Sequence, residues 1–179
     1  SGYFRGFWDE WVVMRIVDAL QAFPPLILAL ALAAALGGGF YNAMAAVGIG
    51  FAPAFIRLAR GQAMSIRNLD YVMAARSVGA GHIRIMWRYV LPNAMAPLVI
   101  QATFAMGSAI IAEAGLSYLG LGARAEDPSW GSMLHIAQGY LNTNPTLALW
   151  PGVAIFAVVL GFNLLGDGIR EVFDPKLYR

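Results

Sequence analysis

Long stretches without a charged residue dominate the chain. No Asp, Glu, Lys or Arg lies between Ala19 and Ile56, a run of 38 residues. A single helix of that length would extend about 57 Å, almost twice the roughly 30 Å hydrocarbon core of a bilayer. The triplet Gly37-Gly38-Gly39 lies near the middle, where glycine's access to positive φ favours a turn. The run therefore predicts two membrane spans, at about 22–37 and 41–58.

Two further uncharged runs follow. One covers Tyr89 to Ala112, with Leu91-Pro92-Asn93 near its start, where proline is tolerated because a first helical turn needs no N–H there. The other covers about Thr146 to Gly166, and the polar stretch 120–145 separates the two. The pattern predicts an all-α, polytopic transmembrane helical bundle with about four spans in this chain.

Composition agrees with this pattern. Apolar residues make up 59% of the chain and charged residues 12%, with a mean hydropathy of +0.63. Soluble domains carry about 25% charged residues, and uncharged helices of this length are unusual in a soluble core. The net charge of +2 gives no argument for nucleic acid, and the absence of cysteine excludes disulfides and cysteine metal sites.

The basic residues are distributed unequally. Four spans place both chain ends and the loop between the second and third spans on one side of the membrane. Eleven of the twelve Lys and Arg residues fall on that side, namely Arg5, Arg15, Arg57, Arg60, Arg67, Arg76, Arg84, Arg88, Arg170, Lys176 and Arg179. Only Arg124 falls on the other. The positive-inside rule then predicts a cytoplasmic loop and a cytoplasmic C-terminus.

The arginine-rich loop contains start and stop signals for two short helices. Asn68 and Asp70 can cap a first helix over 71–78, and Gly79 suits a left-handed C-terminal cap. A second helix over 82–90 is expected to stop before Leu91-Pro92. The small side chains of Ala74 and Ala75 would let a partner approach closely, and apolar anchors are offered by Tyr71, Val78, Ile85 and Trp87.

The stretch YVMAARSVGAGHIRIMWRYVLPN resembles the EAA loop of ABC-importer permeases. The family pattern is Glu-Ala-Ala, three residues, Gly, nine residues, an aliphatic residue, one residue, then Leu-Pro. Matching positions are Ala74, Ala75, Gly79, Leu91 and Pro92, whereas Met73 replaces the usual Glu and Tyr89 the usual Ile. The segments RLARGQ, LPNAMAPLVIQAT, AEAGLSYLGLG and PSWGSML resemble the second permease subunit of dipeptide, oligopeptide and nickel importers.

The resemblance implies a type I ABC importer permease. On that interpretation residues 1–179 are one partial transmembrane permease domain that lacks the first span and most of the second. Residues 68–92 form its cytoplasmic coupling loop. The ATPase contact is then expected at Met73, Ala74, Ala75, Arg76, Gly79, Leu91 and Pro92.

The same resemblance implies an assembly. The expected partners are a homologous second permease subunit, two ABC ATPase subunits, a periplasmic or lipid-anchored substrate-binding protein, and the bilayer of the bacterial or archaeal inner membrane. The ATPases would hold ATP and Mg, so this chain is expected to bind no cofactor and to be no enzyme.

Two polar residues near or within the spans have two interpretations each. Glu113, near the outer end of the third span, either lines the translocation pathway or makes a structural contact. Asn163, inside the fourth span, either faces the pathway or hydrogen-bonds to another helix. His82 and His135 fall on opposite sides of the membrane, so no metal site is expected from them.

Two other classes of function compete with this interpretation. A membrane hydrolase would need a nucleophile and a base, but the chain has no Gly-x-Ser-x-Gly and no histidine at membrane depth. It also has no phosphate-binding loop for ATP hydrolysis. An ion-gradient-driven secondary transporter is the alternative that stays open, and Glu113 is almost its only candidate coupling group.

Overall fold

A computed structural model describes residues 8–123 and 127–173, and those residues form helices and connecting turns without a strand. A π-helical turn, Trp8–Val13, precedes α1 (Met14–Gln21). The remaining helices are α2 (Pro25–Ala35), α3 (Phe40–Ile66), α4 (Asp70–Ser77), α5 (His82–Ile85), α6 (Leu91–Tyr118), α7 (Trp130–Gln138) and α8 (Thr146–Phe173). A second π-helical turn, Met86–Val90, joins α5 to α6.

Three helical segments are long and apolar enough to cross a membrane: Phe40–Ile66, His82–Tyr118 and Thr146–Phe173. The second of them joins α5, the second π-helical turn and α6. A fourth candidate exists if Trp11–Gln21 and Pro25–Ala35 together form one interrupted span. The predicted fold class is confirmed. The predicted first span, 22–37, is an 11-residue helix, which at about 16 Å is too short to cross a bilayer alone.

The ends of α2 explain this difference. Pro25 occupies the start of the helix, where the ring fixes φ and the missing N–H has no helical partner. At the other end, Gly37, Gly38 and Gly39 have φ of +87°, +70° and +91°. Three successive left-handed residues end the helix, as the glycine triplet predicted.

The described residues divide into two compact units. The loop unit comprises 8–22, 53–102 and 168–173, and the bundle unit comprises 23–52, 103–123 and 127–167. The bundle unit has a core made mainly of alanine, namely Ala29, Ala33, Ala43, Ala46, Val47, Ala112 and Leu116. A Cβ added at Gly50 would lie 3.0 Å from the carbonyl oxygen of Pro25. The backbones of α2 and α3 therefore approach closely, which is typical of helices packed in lipid.

The core of the loop unit consists mainly of larger side chains: Ile66, Val72, Ile85, Val90 and Ala94. Val72 belongs to α4 and Ile85 to α5, and both are fully buried. Ala94 belongs to α6. The arginine-rich loop is thus a folded part of the unit, anchored to the start of a long apolar helix by shared hydrophobic contacts.

Candidate functional site

Helix α4 contains most of the predicted coupling residues. Its N-cap is Leu69, in extended conformation, and the first turn receives no capping hydrogen bond from a side chain. The predicted capping by Asn68 or Asp70 is therefore wrong. Asp70 instead lies inside the first turn, where a carboxylate stabilises the positive end of the helix dipole.

Gly79 ends α4 through a Schellman motif. Its φ is +82°, and its N–H donates to the carbonyl oxygen of Arg76 at 2.9 Å. The N–H of Ala80 donates to the carbonyl oxygen of Ala75 at 3.0 Å. These two bonds define the motif, and its left-handed position disfavours most side chains other than Asn and Asp. The predicted left-handed cap is present, and it fixes the direction in which the chain leaves α4.

The two alanines of the motif lie in different environments. Ala75 is buried, as is Val72 one turn earlier, whereas Met73, Ala74 and Arg76 are exposed. The low-profile surface predicted for both alanines thus belongs to Ala74. Ala75 lies on the inner face of the helix, where a larger side chain would force α4 away from its unit.

The predicted set of apolar anchors is partly wrong. Val78 is 84% exposed and Trp87 is 64% exposed, as expected of residues available to a partner. Ile85 is completely buried, so it belongs to the core and offers no anchor. Ile83, 71% exposed, was missed. Its spacing of four residues from Trp87 was the available signal, since such residues share a helix face.

The predicted stop before Leu91-Pro92 is wrong. The helix is continuous from His82 to Tyr118. The N–H of Leu91 donates to the carbonyl oxygen of Met86, five residues back, and Asn93 Nδ2 donates to the carbonyl oxygen of Tyr89 at 2.6 Å. The wider turn and this side-chain bond occupy backbone groups around the proline, so the chain passes Pro92 without leaving the helix. The second half of the loop and the candidate span that follows it therefore form one continuous helix.

A second candidate site lies in the bundle unit. It is a cavity of about 420 Å³ lined by residues of α3, α6 and α7 and the turn before α7, namely Phe40, Met44, Ala109, Ile110, Glu113, Pro128, Ser129, Trp130 and Met133. Among the described residues that line it, Glu113 is the one ionisable group. Glu113 is half-buried, and its Oε1 accepts a hydrogen bond from Ser117 Oγ at 2.6 Å.

Ser117 connects Glu113 to the backbone. Its Oγ accepts a hydrogen bond from the N–H of Ala123 at 2.9 Å while its hydroxyl donates to Glu113. Glu113 therefore has both features that the sequence left as alternatives: it borders a cavity, and it makes a structural hydrogen bond.

The other wall of the cavity is fixed by tight packing. Ser129 Oγ accepts from the N–H of Ser132 at 3.0 Å, and Ser132 Oγ accepts from the N–H of Ser129 at 3.2 Å, forming a capping box. A Cβ at Gly131 would overlap the carbonyl oxygen of Ala114. Close contact between α7 and α6 thus places Trp130 and Met133 at the cavity.

Asn163 lies elsewhere in the bundle unit. It is half-buried on α8, and its Oδ1 is 3.6 Å from the position of a Cβ at Gly107 on α6. It does not line the cavity that contains Glu113. Its position matches packing between two helices. Within the described ranges, no group of three His, Cys, Asp or Glu side chains could hold a metal ion.

Comparison with known proteins identifies the family. Residues 1–179 match the family described as "Binding-protein-dependent transport system inner membrane component". The chain is 42% identical over 177 residues to the dipeptide transport system permease protein DppC of Alkalihalophilus pseudofirmus, covering 99% of this chain and 58% of that protein.

Two glutathione transport relatives give the same result. The chain is 44% identical over 177 residues to GsiD of Pectobacterium atrosepticum, covering 99% of this chain and 58% of that protein. It is 44% identical over 175 residues to GsiD of Shigella sonnei, covering 98% of this chain and 57% of that protein. The chain thus spans about 58% of the length of these relatives. It belongs to the binding-protein-dependent transport system inner membrane component family and is a multi-pass protein of the inner membrane.

Proposed function

We propose that this chain is the transmembrane permease subunit of an ATP-driven ABC importer. The observation that carries the proposal is the exposed outer face of helix α4, which ends in the Schellman motif at Gly79, in a chain of this family. The resemblance to the EAA loop supports ATPase coupling through Met73, Ala74, Ala75, Arg76 and Gly79. Leu91 and Pro92 are the last positions of the same loop.

The assembly follows from that role. A homologous second permease subunit, two ABC ATPase subunits and a periplasmic or lipid-anchored binding protein complete the importer in the lipid bilayer. ATP and Mg bind to the ATPase subunits, and this chain takes no nucleic acid. The arginine distribution favours a cytoplasmic coupling loop and C-terminus.

The packing of the loop unit supports a mechanism for coupling. Val72 of α4 belongs to the same buried cluster as Ala94 of α6. When the ATPases close on ATP, their pull on α4 passes through this cluster to a long apolar helix. ATP binding then shifts the permease between inward-facing and outward-facing states, because the ATPases contact α4 differently in each.

The cargo is a peptide or a related small solute. The relatives are named for dipeptide and glutathione transport, which favours peptides over nickel. Glu113 borders a cavity, and this supports a place on the translocation pathway. Asn163 lies close to Gly107 of α6, and this favours a helix-packing role.

The coupling assignment is tested with Gly79→Val in the complete permease, assembled with its partners in proteoliposomes. Valine disfavours the left-handed conformation, so α4 loses its C-terminal cap. We expect ATP-driven peptide uptake and ATPase recruitment to fall at least about tenfold. Gly81→Val is the matched control, since Gly81 has φ −66° and no atom within 4 Å of an added Cβ. Uptake and recruitment unchanged by Gly79→Val would remove the assignment.

The same proteoliposomes separate the importer from an ion-gradient-driven secondary transporter. Uptake that needs ATP, stops with vanadate and survives collapse of the proton gradient supports the importer. Uptake that ignores vanadate and stops when the gradient collapses supports the secondary transporter.

A further inference from the structure

A cleft with both polar and apolar lining lies within the loop unit, apart from the coupling surface. Its volume is about 400 Å³. It is lined by Gln21 of α1, Gln62 of α3 and Gln101 of α6, together with Ala54, Arg57, Leu58 and Gly61 of α3. Three helices thus bring three glutamines to one opening.

Within the described part of the chain, the amides of these glutamines have no protein partner, since none of the three side chains makes a hydrogen bond there. Gln62 and Gln101 are half-buried, and Gln101 lies ten residues beyond Leu91 on a candidate span. Polar side chains at such a position are costly in lipid and usually face other helices or water. The three amides are therefore available to a ligand that enters the cleft.

The charges of the cleft are balanced. Arg57 Nη2 lies 2.8 Å from Asp18 Oδ1, so the guanidinium is paired with a carboxylate of α1. A site of this kind does not select a ligand by net charge. Each glutamine offers a carbonyl acceptor and two N–H donors, and these complement the C=O and N–H groups that every peptide main chain presents.

We infer that this cleft binds the main chain of the transported peptide during its passage, with Gln21, Gln62 and Gln101 as the hydrogen-bonding groups. The inference rests on the proposed importer function and adds the part of the cargo that is recognised. Recognition of main-chain amides lets one site accept peptides with different side chains, because those amides are common to all of them.

Gly61 provides a direct test. No atom lies within 4 Å of a Cβ added there, so a larger side chain would extend into open space. Gly61→Met in the complete importer should reduce the maximal rate of peptide uptake at least fivefold, at saturating binding protein, and raise the ATP consumed per peptide. Gly48→Met is the matched control, since Gly48 lies on α3 in the other unit and also has no atom within 4 Å. It should stay within twofold of the native rate.

The glutamines test the chemistry of the ligand. We expect Gln62→Leu and Gln101→Leu to reduce the preference for a dipeptide over its N-methylated analogue at least threefold. The same binding protein serves every variant, so a change between variants reports on the permease. An unchanged preference in both leucine variants overturns the assignment to main-chain amides.

Cysteine labelling keeps the inference testable if Gly61→Met fails to assemble. The chain has no cysteine, so Gly61→Cys introduces a single thiol. With the other subunits made free of reactive cysteine, a water-soluble thiol reagent should modify it, and peptide under turnover should slow the reaction at least threefold. Gly48→Cys should show no such protection. If peptide does not change the rate of labelling at Gly61→Cys, the inference is overturned.

The two proposals fail differently. A native importer that takes up no peptide with ATP and binding protein present refutes the proposed function. A native importer that transports peptide, with Gly61→Met as active as Gly48→Met, refutes the cleft alone.

Discussion

Glycine has different uses in the two units. In the bundle unit, a Cβ would overlap neighbouring atoms at Gly122 and Gly131, and at Gly166 it would lie against Thr103 Oγ1. In the described part of the loop unit every glycine has open space around the added Cβ, as at Gly61 and Gly79. Glycine therefore permits backbone contact in the bundle unit. Left-handed glycines end helices in both units, at Gly37–Gly39 in the bundle unit and at Gly79 in the loop unit, and Gly61 leaves space in a cleft.

The two cores differ in the same way. Alanine makes up most of the bundle core, whereas Ile66, Val72, Ile85 and Val90 fill the core of the loop unit. Lipid tails are as apolar as a leucine side chain, so burying large apolar side chains gains little there. Helices within lipid associate instead through close backbone contact. A loop outside the hydrocarbon region gains from burying larger side chains away from water. The small residues of the bundle core therefore match helices packed in lipid, and the larger side chains of the loop core match burial away from water.

The strongest effect should come from breaking the close contact in the bundle unit. Gly131→Ala places a methyl group against the carbonyl oxygen of Ala114, so α7 must move away from α6. Overpacking of this kind costs roughly 1–3 kcal/mol. We expect a lower temperature of thermal unfolding in detergent and less monodisperse protein. Gly161→Ala, with open space at its Cβ, is the control; equal loss in both variants would contradict the contact.

The second prediction separates the exposed and buried valines of the loop unit. Val78→Ser changes an 84% exposed side chain and should weaken ATPase binding about tenfold without altering the unfolding temperature. Val72→Ala removes methyl groups from the buried core and should lower that temperature. Pull-down of the ATPase subunits and thermal unfolding measure the two effects. A Val78→Ser permease with native ATPase affinity would speak against the proposed docking surface.

The third prediction separates the two roles of Glu113. Glu113→Gln removes the charge but keeps an oxygen that accepts from Ser117 Oγ. If the charge acts on the pathway, peptide uptake should fall about fivefold with the unfolding temperature unchanged. Ser117→Ala instead leaves the N–H of Ala123 without its partner and should destabilise the unit. Native uptake by Glu113→Gln would leave Glu113 with its structural role alone.

The weakest effect is expected at Met73. It is exposed on α4 at the position where the EAA pattern has Glu. Met73→Glu adds one charged group near the proposed ATPase contact, which is worth about 1 kcal/mol or less at an exposed site. We expect ATPase affinity to rise by no more than about fivefold, measured by titration of the detergent-solubilised permease. A large loss of affinity would indicate that the ATPase groove here is apolar.

The helical membrane class, the break at Gly37–Gly39 and the left-handed end of α4 at Gly79 could all be predicted from sequence. Each follows from a local cause, namely the absence of charge over a long run or the conformational freedom of glycine. The family motif could also be read directly, because its residues are contiguous in the chain. Local sequence did not predict the length of α2 or the passage of the helix through Pro92.

Which side chains meet depends on tertiary packing. Ala74 and Ala75 are adjacent and chemically identical, yet one is exposed and the other buried. The burial of Ile85, the hydrogen bond between Glu113 and Ser117, and the meeting of Gln21, Gln62 and Gln101 all arise from packing within a unit. Helical periodicity shows which residues share a face. Contacts between helices determine which face is covered, and those depend on residues far apart in the sequence.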